Sequence, residues 1–500
     1  MKIIKDREWT TAAWLTVVLP ILAIEWIAFK CFYPYADYFT DSYTYIQAAL
    51  DQDAISFRPI GYSLFLRLVH VFSTPDTVVV TLQYLLLQGA SLGLVLSLRR
   101  WCGVGERTVA VLMAFVLLDP VIPYVANYIS SDALFIGLSL IWLTVLMGIL
   151  RAAGWRRLAL QVVLLFVIFN LRYAALFYPA VAALMILLAR RGWRYSAIGV
   201  VASIGVVVAG TLWIKSVTRR ETGADLFSAF SGWQMANNVL NLYPHIPVDT
   251  AGLPSAECRV LAGYVSDYFV GTGRTVVGPG VRTVANTGGR DVGAPETRAM
   301  PEVTTAYMWL HPSPLHLYME AYKRQHKLSY FDAWNRVGVV FSQYGYFVAR
   351  KHPVAFLRYY GWPSAKVFFL TGLDNMAAFN EGKPDVDSLA ANWFRYPGVH
   401  VKAVSVTLQS KVLAPMAWTY TLLNLSFVIT ALLFLSFRTL RQRNKVFTAC
   451  FRLASAFLLA NAFFSIFATP SVFRYQVLPL IVLFVFTVAG VSKSRVFSVT

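Results

Sequence analysis

The chain returns again and again to apolar runs near twenty residues long, and the small basic clusters between those runs fall on alternate connections. The runs are Thr10–Phe29, Asp76–Leu98, a third beginning at Thr108, Ala133–Leu150, Leu158–Ala189, Tyr195–Ile214, Val412–Phe437, Val446–Phe467 and Val472–Val491. A helix of about 20 apolar residues matches the hydrocarbon thickness of a bilayer. Leu158–Ala189 is interrupted only by Asn170-Leu-Arg172-Tyr173, a length that suits two spans and a tight turn. Hydrophobic residues make up 57% of the chain and charged residues 14%, too little polar side chain to coat a water-soluble surface. The pattern predicts an all-α polytopic membrane protein with about ten transmembrane helices.

The formal charge of +19 is gathered in clusters that punctuate the spans. These are Lys2, Lys5 and Arg7; Arg99, Arg100 and Arg107; Arg151, Arg156 and Arg157; Arg190, Arg191 and Arg194; Arg438, Arg441, Arg443 and Lys445; and Lys493 with Arg495. With about ten spans all of them lie on one side, as the positive-inside rule requires, and both termini are cytoplasmic. That assigns the basic residues to orientation in a cytoplasmic (inner) membrane, and no nucleic-acid partner is expected. The first run ends in Glu25-Trp-Ile-Ala-Phe-Lys30 and reads as a retained signal anchor. Cys31, Cys102, Cys258 and Cys450 have no metal-site or disulfide spacing.

Three regions follow. Residues 1–214 form an N-terminal module of about seven spans, with a first outer loop at 31–75. Residues 215–410 mix charges, prolines and turn residues and are too long for a simple connection, so they read as an extracytoplasmic, periplasmic domain between spans seven and eight. In it, Gly271 to Glu296 reads as loop, and helical patterns resume at His316–Lys327 and Asp332–Lys351. Residues 411–500 form a C-terminal module of about three spans.

Folded in this way, the chain collects Asp37, Asp41, Arg58, Asp132, Arg172 and Arg474 on the outer face, with Lys215, Arg219 and Arg220 at the mouth of the large domain. Charges at the hydrocarbon boundary are costly, so they pair, cap helices or mark a site. Asp132 fits either of the last two roles, preceding an apolar helix as it does. Carboxylates among several arginines suit a site that holds an anionic phosphate beside a group losing a proton.

An ordered set of short motifs carries a resemblance. Asp41-Ser-Tyr-Thr-Tyr45, Arg58-Pro-Ile-Gly-Tyr62-Ser-Leu-Phe65, Ser130-Ser131-Asp132-Ala-Leu-Phe135, Asn170-Leu-Arg172-Tyr173, His352-Pro353 and Arg474-Tyr475 follow one another along the chain. Together they resemble the membrane-embedded glycosyltransferases of the GT-C fold, especially the lipid-linked-sugar transferases related to protein O-mannosyltransferases and lipid A aminoarabinose transferases. The chain departs from that pattern at Ser42, where the family often has a second acid, and at Ile60 and Ser63, where it has proline.

The resemblance implies a GT-C-like fold and a sugar donor carried on polyprenyl phosphate, reached from membrane lipid and used on the periplasmic or exterior side. Arg58, Arg172 and Arg474 would hold the donor phosphate, with Lys215, Arg219 and Arg220 behind them. Asp41, or Asp37 one helical turn earlier, would take the proton from the acceptor hydroxyl of a glycan, lipid or protein, and displacement would invert the anomeric centre. Tyr45, Tyr62, Trp233, Asn237, Asn238, Tyr243, His245 and His352 are acceptor-side candidates, and ordinary packing is the alternative for the Asn and aromatic patch. Metal use stays open: Asp37 and Asp41 would be the residues to hold Mg²⁺ or Mn²⁺ through waters. The competing readings are an O-antigen-type polymerase or ligase, kept alive by His311, His316, His326 and His352, and a lipid-linked saccharide transporter or flippase. No internal repeat of the transporter kind is visible.

Overall fold

A computed structural model describes residues 9–271, 306–437 and 445–494. The basic residues Lys2, Lys5, Arg7, Arg438, Arg441, Arg443 and Arg495, and the stretch 272–296 expected to be loop, lie outside the described residues. Among the described residues the fold is helical, with two isolated β-bridges and no strand. Among the described residues seven helices are long and apolar enough to cross a membrane, and an eighth is added when one bent pair is taken as a single span. This is the architecture of a multi-pass α-helical membrane protein.

The long helices begin with α1 (Thr11–Phe32). Two short helices follow in the first connection, α2 (Thr40–Asp51) and α3 (Gly61–Phe72). Next come α4 (Asp76–Cys102), the bent pair α5 (Glu106–Leu118) and α6 (Val121–Asn127), and α7 (Asp132–Arg151). The bend of 41° falls at Asp119-Pro120, where proline supplies no N–H and the Asp119 carboxylate accepts the Val121 N–H at 3.0 Å. The run expected to hold two spans divides at its predicted interruption into α8 (Trp155–Leu171), a 3₁₀ turn Tyr173–Phe177 and α9 (Tyr178–Leu188). The two helices have 17 and 11 residues, each shorter than the seven long helices. The remaining long helices are α10 (Trp193–Thr222), Leu408–Ser436, Lys445–Phe467 and Phe473–Ser494.

The chain forms two compact units. The first comprises residues 1–211, 369–462 and 472–500, and the second 212–368 and 463–471. Residues 369–410, grouped by sequence with the extracytoplasmic domain, pack within the first unit. Their hydrogen bonds explain this: Asn380 and Gln409 both donate to Asp37, and the Tyr396 hydroxyl donates to Asp76 at 2.8 Å.

Polar side chains inside the apolar helices of the first unit are tied across neighbours, as a low-dielectric solvent demands. Gln83 of α4 donates to the Ala126 and Tyr128 carbonyls at 2.7 and 2.9 Å and accepts the Tyr62 hydroxyl at 2.7 Å, fastening α3, α4 and α6 together. Gln161 of α8 donates to Ser203 of α10 at 2.8 Å. In the second unit, Ser231–Leu240 packs on Tyr330–Lys351 through the indoles of Trp233 and Trp334, stacked with centroids 3.7 Å apart.

Candidate functional site

Five helix ends in the first unit bring ionisable side chains to one place. Asp41 lies in the first turn of α2, where the helix dipole favours its negative charge. Arg58 precedes α3 in the connection that Pro59 stiffens. Asp132 is the first residue of α7, Arg172 caps the end of α8 in extended backbone, and Arg474 lies in the first turn of Phe473–Ser494. Gly61 sets the approach of two of these segments: a Cβ there would stand 2.5 Å from the Asn170 carbonyl oxygen, so only glycine lets α3 start against the Arg172 turn.

The charges interlock. Arg58 Nη2 donates to Asp41 Oδ1 at 2.6 Å, and Arg474 Nη2 donates to Asp41 Oδ2 at 3.1 Å. Arg474 Nη1 lies 3.5 Å from Asp132 Oδ2, and Arg172 pairs with the other oxygen of Asp132. Ser130 Oγ also donates to Asp132, at 2.8 Å. Ser131 occupies the N-cap position of α7 without a side-chain cap bond, and the Asp132 carboxylate is turned to the two arginines rather than to the helix end. Three guanidinium groups against two carboxylates leave one net positive charge in a site that is mostly buried.

Aromatic rings hold the guanidinium planes. Tyr475 lies beneath Arg172, 4.1 Å from its ring centroid, and beside Arg474 at 4.8 Å; its hydroxyl accepts from Arg474 Nη2 at 3.1 Å. Phe39 supports Arg474 from the other segment at 4.2 Å. Cation–π contacts of this kind fix orientation as well as adding energy. Sequence reading singled out Tyr475 only as half of a motif and missed Phe39; the signal in each case is an aromatic residue within two positions of a boundary charge. Tyr45 and Tyr62 lie behind the site as buried supports, with the Tyr45 hydroxyl on Ser131 Oγ at 2.9 Å and the Tyr62 hydroxyl on Gln83.

Asp41 and Asp37 stand in different environments. Burial alone would raise the Asp41 carboxyl, but Arg58 and Arg474 outweigh it and hold the group below the ordinary carboxylate range. Asp37 has no basic partner within ion-pair distance among the described residues. It accepts the Asn380 N–H at 2.7 Å and Gln409 Nε2 at 3.4 Å, and burial pushes its carboxyl up to about 7 against those hydrogen bonds. Its backbone pairs with Asn127 and Ile129, at 2.9 and 3.0 Å. Asp37 is thus a tie between the first connection and residues 380–409.

The two acids have separate partner sets, and both oxygens of Asp41 already face guanidinium groups. That donor set does not fit a divalent cation, which needs several oxygens free of competing positive charge. Among the described residues no group of three or more His, Cys, Asp or Glu side chains converges as a metal site would.

The remaining candidates belong to the second unit. Lys215 pairs with Asp225 at 3.0 Å and Arg220 with Glu221 at 3.3 Å, while Arg219 is exposed. Trp233 is fully buried and donates to the Trp334 carbonyl at 3.1 Å. Asn237 accepts the Met308 N–H at 3.1 Å, and Asn238 accepts from Gln234 at 2.7 Å. Tyr243 is buried with its hydroxyl on Tyr344. These side chains are satisfied core groups. His245 is exposed and stacks on Tyr359 at 4.2 Å, and His352 Nε2 accepts the Asp249 N–H at 3.1 Å.

Compared with known protein families, with curated proteins and with solved structures, the chain matches none of them.

Proposed function

We propose that the protein is an integral membrane glycosyltransferase of the GT-C type, moving a sugar from a polyprenyl-phosphate donor to an acceptor hydroxyl with inversion at the anomeric carbon. The observation that carries this reading is the Asp41 carboxylate set between Arg58 and Arg474, with Arg172 and Asp132 adjoining. A polyprenyl-phosphate sugar is a phosphodiester with one negative charge, which the one net positive charge of the cluster complements. When the sugar carbon–oxygen bond breaks, its electron pair goes to the phosphate, which gains a second negative charge. Arginines held in place beforehand stabilise that new charge more than they stabilise the bound donor, and this difference is what accelerates a reaction.

On this reading the acceptor oxygen bonds to the anomeric carbon as its proton passes to Asp41. A carboxylate locked to two guanidinium groups is a weak base. Donor binding changes that: as Arg58 and Arg474 turn to phosphate oxygens, Asp41 loses part of its neutralising charge and becomes more basic where the acceptor arrives. The ten-span topology and the placement of the site on the periplasmic side of the cytoplasmic membrane belong to the same reading. Support comes from the helix ends that bear the site, which alternate with ends bearing Arg99, Arg151 and Lys493.

The test is transfer from a panel of radiolabelled polyprenyl-phosphate sugars in membranes containing the protein or Asp41→Asn. Transfer by the variant is expected to fall by at least about a hundredfold, with the variant inserted in normal amount. Equal transfer by the two proteins would overturn the assignment.

A further inference from the structure

Glu25 and Asp119 take no part in the site above, and each lies well inside a span. Glu25 is seven residues before the end of α1, roughly 10 Å along the axis at about 1.5 Å per residue. It accepts from the Tyr84 hydroxyl and, at 3.4 Å, from Gln88 Nε2, both on α4. Gln88 Nε2 also reaches the Val116 carbonyl of α5 at 3.3 Å, one turn before the bend that Asp119 occupies.

Two oxygens in this cluster are left over. Asp119 Oδ1 accepts the Val121 N–H, but Asp119 Oδ2 is buried without a hydrogen-bond partner, and so is Gln88 Oε1. The residues are 3% and 1% exposed. The Gln88 oxygen belongs to the same amide whose nitrogen reaches Glu25. Gln88 links the two acids, bonding Glu25 on one side and, on the other, the Val116 carbonyl three residues before Asp119.

Other charged and titratable groups on the packed helices are engaged elsewhere. Lys30 donates to Asn127 at 2.9 Å, the Tyr33 and Tyr124 hydroxyls bond each other at 3.2 Å, and Asp76 accepts the Ala36 N–H at 2.6 Å. Arg99 pairs with Glu106 at 2.7 Å. Arg474 and Asp132 belong to the site already described, while Arg151, Lys411 and Lys493 lie at the ends of their helices. Among the described residues, no basic side chain forms an ion pair with Glu25 or Asp119. Unpaired carboxylates in a low-dielectric interior are costly, and a bound proton or cation relieves that cost. The two leftover atoms, Asp119 Oδ2 and Gln88 Oε1, are both oxygens, as a hard cation or a shared proton requires.

We propose that Glu25, Asp119 and Gln88, with the Tyr84 hydroxyl, form an intramembrane site for a small exchangeable cation, a proton or a sodium ion. The proposal does not rest on the glycosyl-transfer reading. Dicyclohexylcarbodiimide enters bilayers and forms stable adducts with protonated carboxyl groups, so it reads the site in the full-length wild-type protein. Purified protein in sodium-free liposomes is treated across acidic to alkaline pH and its peptides are analysed by mass spectrometry. The expected result is an adduct on Glu25 or Asp119 whose yield falls by about tenfold over the two pH units around its midpoint. Protection by sodium chloride, and not by equal choline chloride, identifies sodium as the cation; a dependence on pH alone identifies the proton. Absence of an adduct at both residues, or an adduct whose yield neither pH nor sodium changes, overturns the proposal.

Discussion

Arg474 and Asp41 are 433 positions apart in sequence and meet at 3.1 Å, joining the last long helix to the first connection of the chain. The same guanidinium group reaches Asp132 with its other nitrogen at 3.5 Å. A lysine at this position would keep the charge and lose the fork, because an ammonium group is a compact point charge with no planar pair of donors. Arg474→Lys is therefore expected to lower transfer efficiency by roughly tenfold to a hundredfold, with most of the change in the KM for the donor. Steady-state kinetics at varied donor concentration checks this; an unchanged KM would remove Arg474 from donor binding.

Asp37 yields a prediction about pH. Its carboxyl is pushed up to about 7 by burial, above the ordinary value of 3.8 expected when the chain is unfolded. Between those values the folded protein holds a proton that the unfolded chain releases, so stability falls as pH rises through the window from about 4 to about 7. The contribution of this one group is fully present below that window and lost above it, and amounts to at most about 4 kcal/mol, at about 1.4 kcal/mol per unit. Asp37→Asn removes the titration. Thermal unfolding in detergent should show wild type losing ground against Asp37→Asn as pH rises from about 4 to about 7, the window named above. A difference in Tm that stays constant with pH would show that Asp37 does not titrate there.

Much of the first unit is legible in the sequence because its physics is one-dimensional. A span must be apolar for about 20 residues whatever its neighbours are, and an Arg or Asp at its end is visible as an exception. That is how Arg58, Asp132, Arg172 and Arg474 could be grouped, and the interruption at Asn170–Tyr173 located. The partners of Asp37 were not legible in this way. It accepts a backbone N–H from Asn380, in a stretch where Asn380, Glu381 and Gly382 have positive φ angles of 49°, 53° and 79°, and no side-chain pattern announces such a bond. The Asn and aromatic patch at 233–243 illustrates the converse. Polar residues there looked available to an acceptor, yet Asn237 and Asn238 spend their amides on Met308 and Gln234, a pairing that depends on tertiary packing. The bend at Asp119 was hidden for a third reason: a single Asp-Pro inside an apolar run is compatible with a straight, kinked or broken span.

The second unit depends on one close approach. A Cβ on Gly232 would collide with the Gly338 carbonyl oxygen, which is backbone and has little freedom to move, and on the facing helix a Cβ on Gly345 would stand 2.7 Å from the Met235 carbonyl. The pairing of Ser231–Leu240 with Tyr330–Lys351 therefore requires glycine on both sides. Gly232→Ala is expected to cost about 1–3 kcal/mol or more through forced separation of the helices, read as a lower Tm and a lower yield of folded protein. A fully stable alanine variant would show that the two helices lie farther apart.

Asp132 and Asp41 share Arg474 but are expected to fail in different ways when each is changed to asparagine. Asp41 faces Arg58 and Arg474 from the first turn of α2, and as the proposed base it meets the reacting hydroxyl; its loss should appear in kcat, with the donor still bound. Asp132 is 6% exposed at its side chain and holds Arg172 together with one nitrogen of Arg474, so its task is to aim two phosphate contacts. Asp132→Asn keeps the size and removes the charge, leaving Arg172 supported by the rings of Tyr475 and Phe135 alone. The expected outcome is a donor KM raised by about tenfold or more and a smaller change in kcat, because a positioning group acts on binding of the ground state and the transition state together. Direct donor binding to the two variants separates the roles: Asp41→Asn should retain donor and Asp132→Asn should lose it. The opposite result would exchange the assignments, making Asp132 the base and Asp41 the group that orients the arginines.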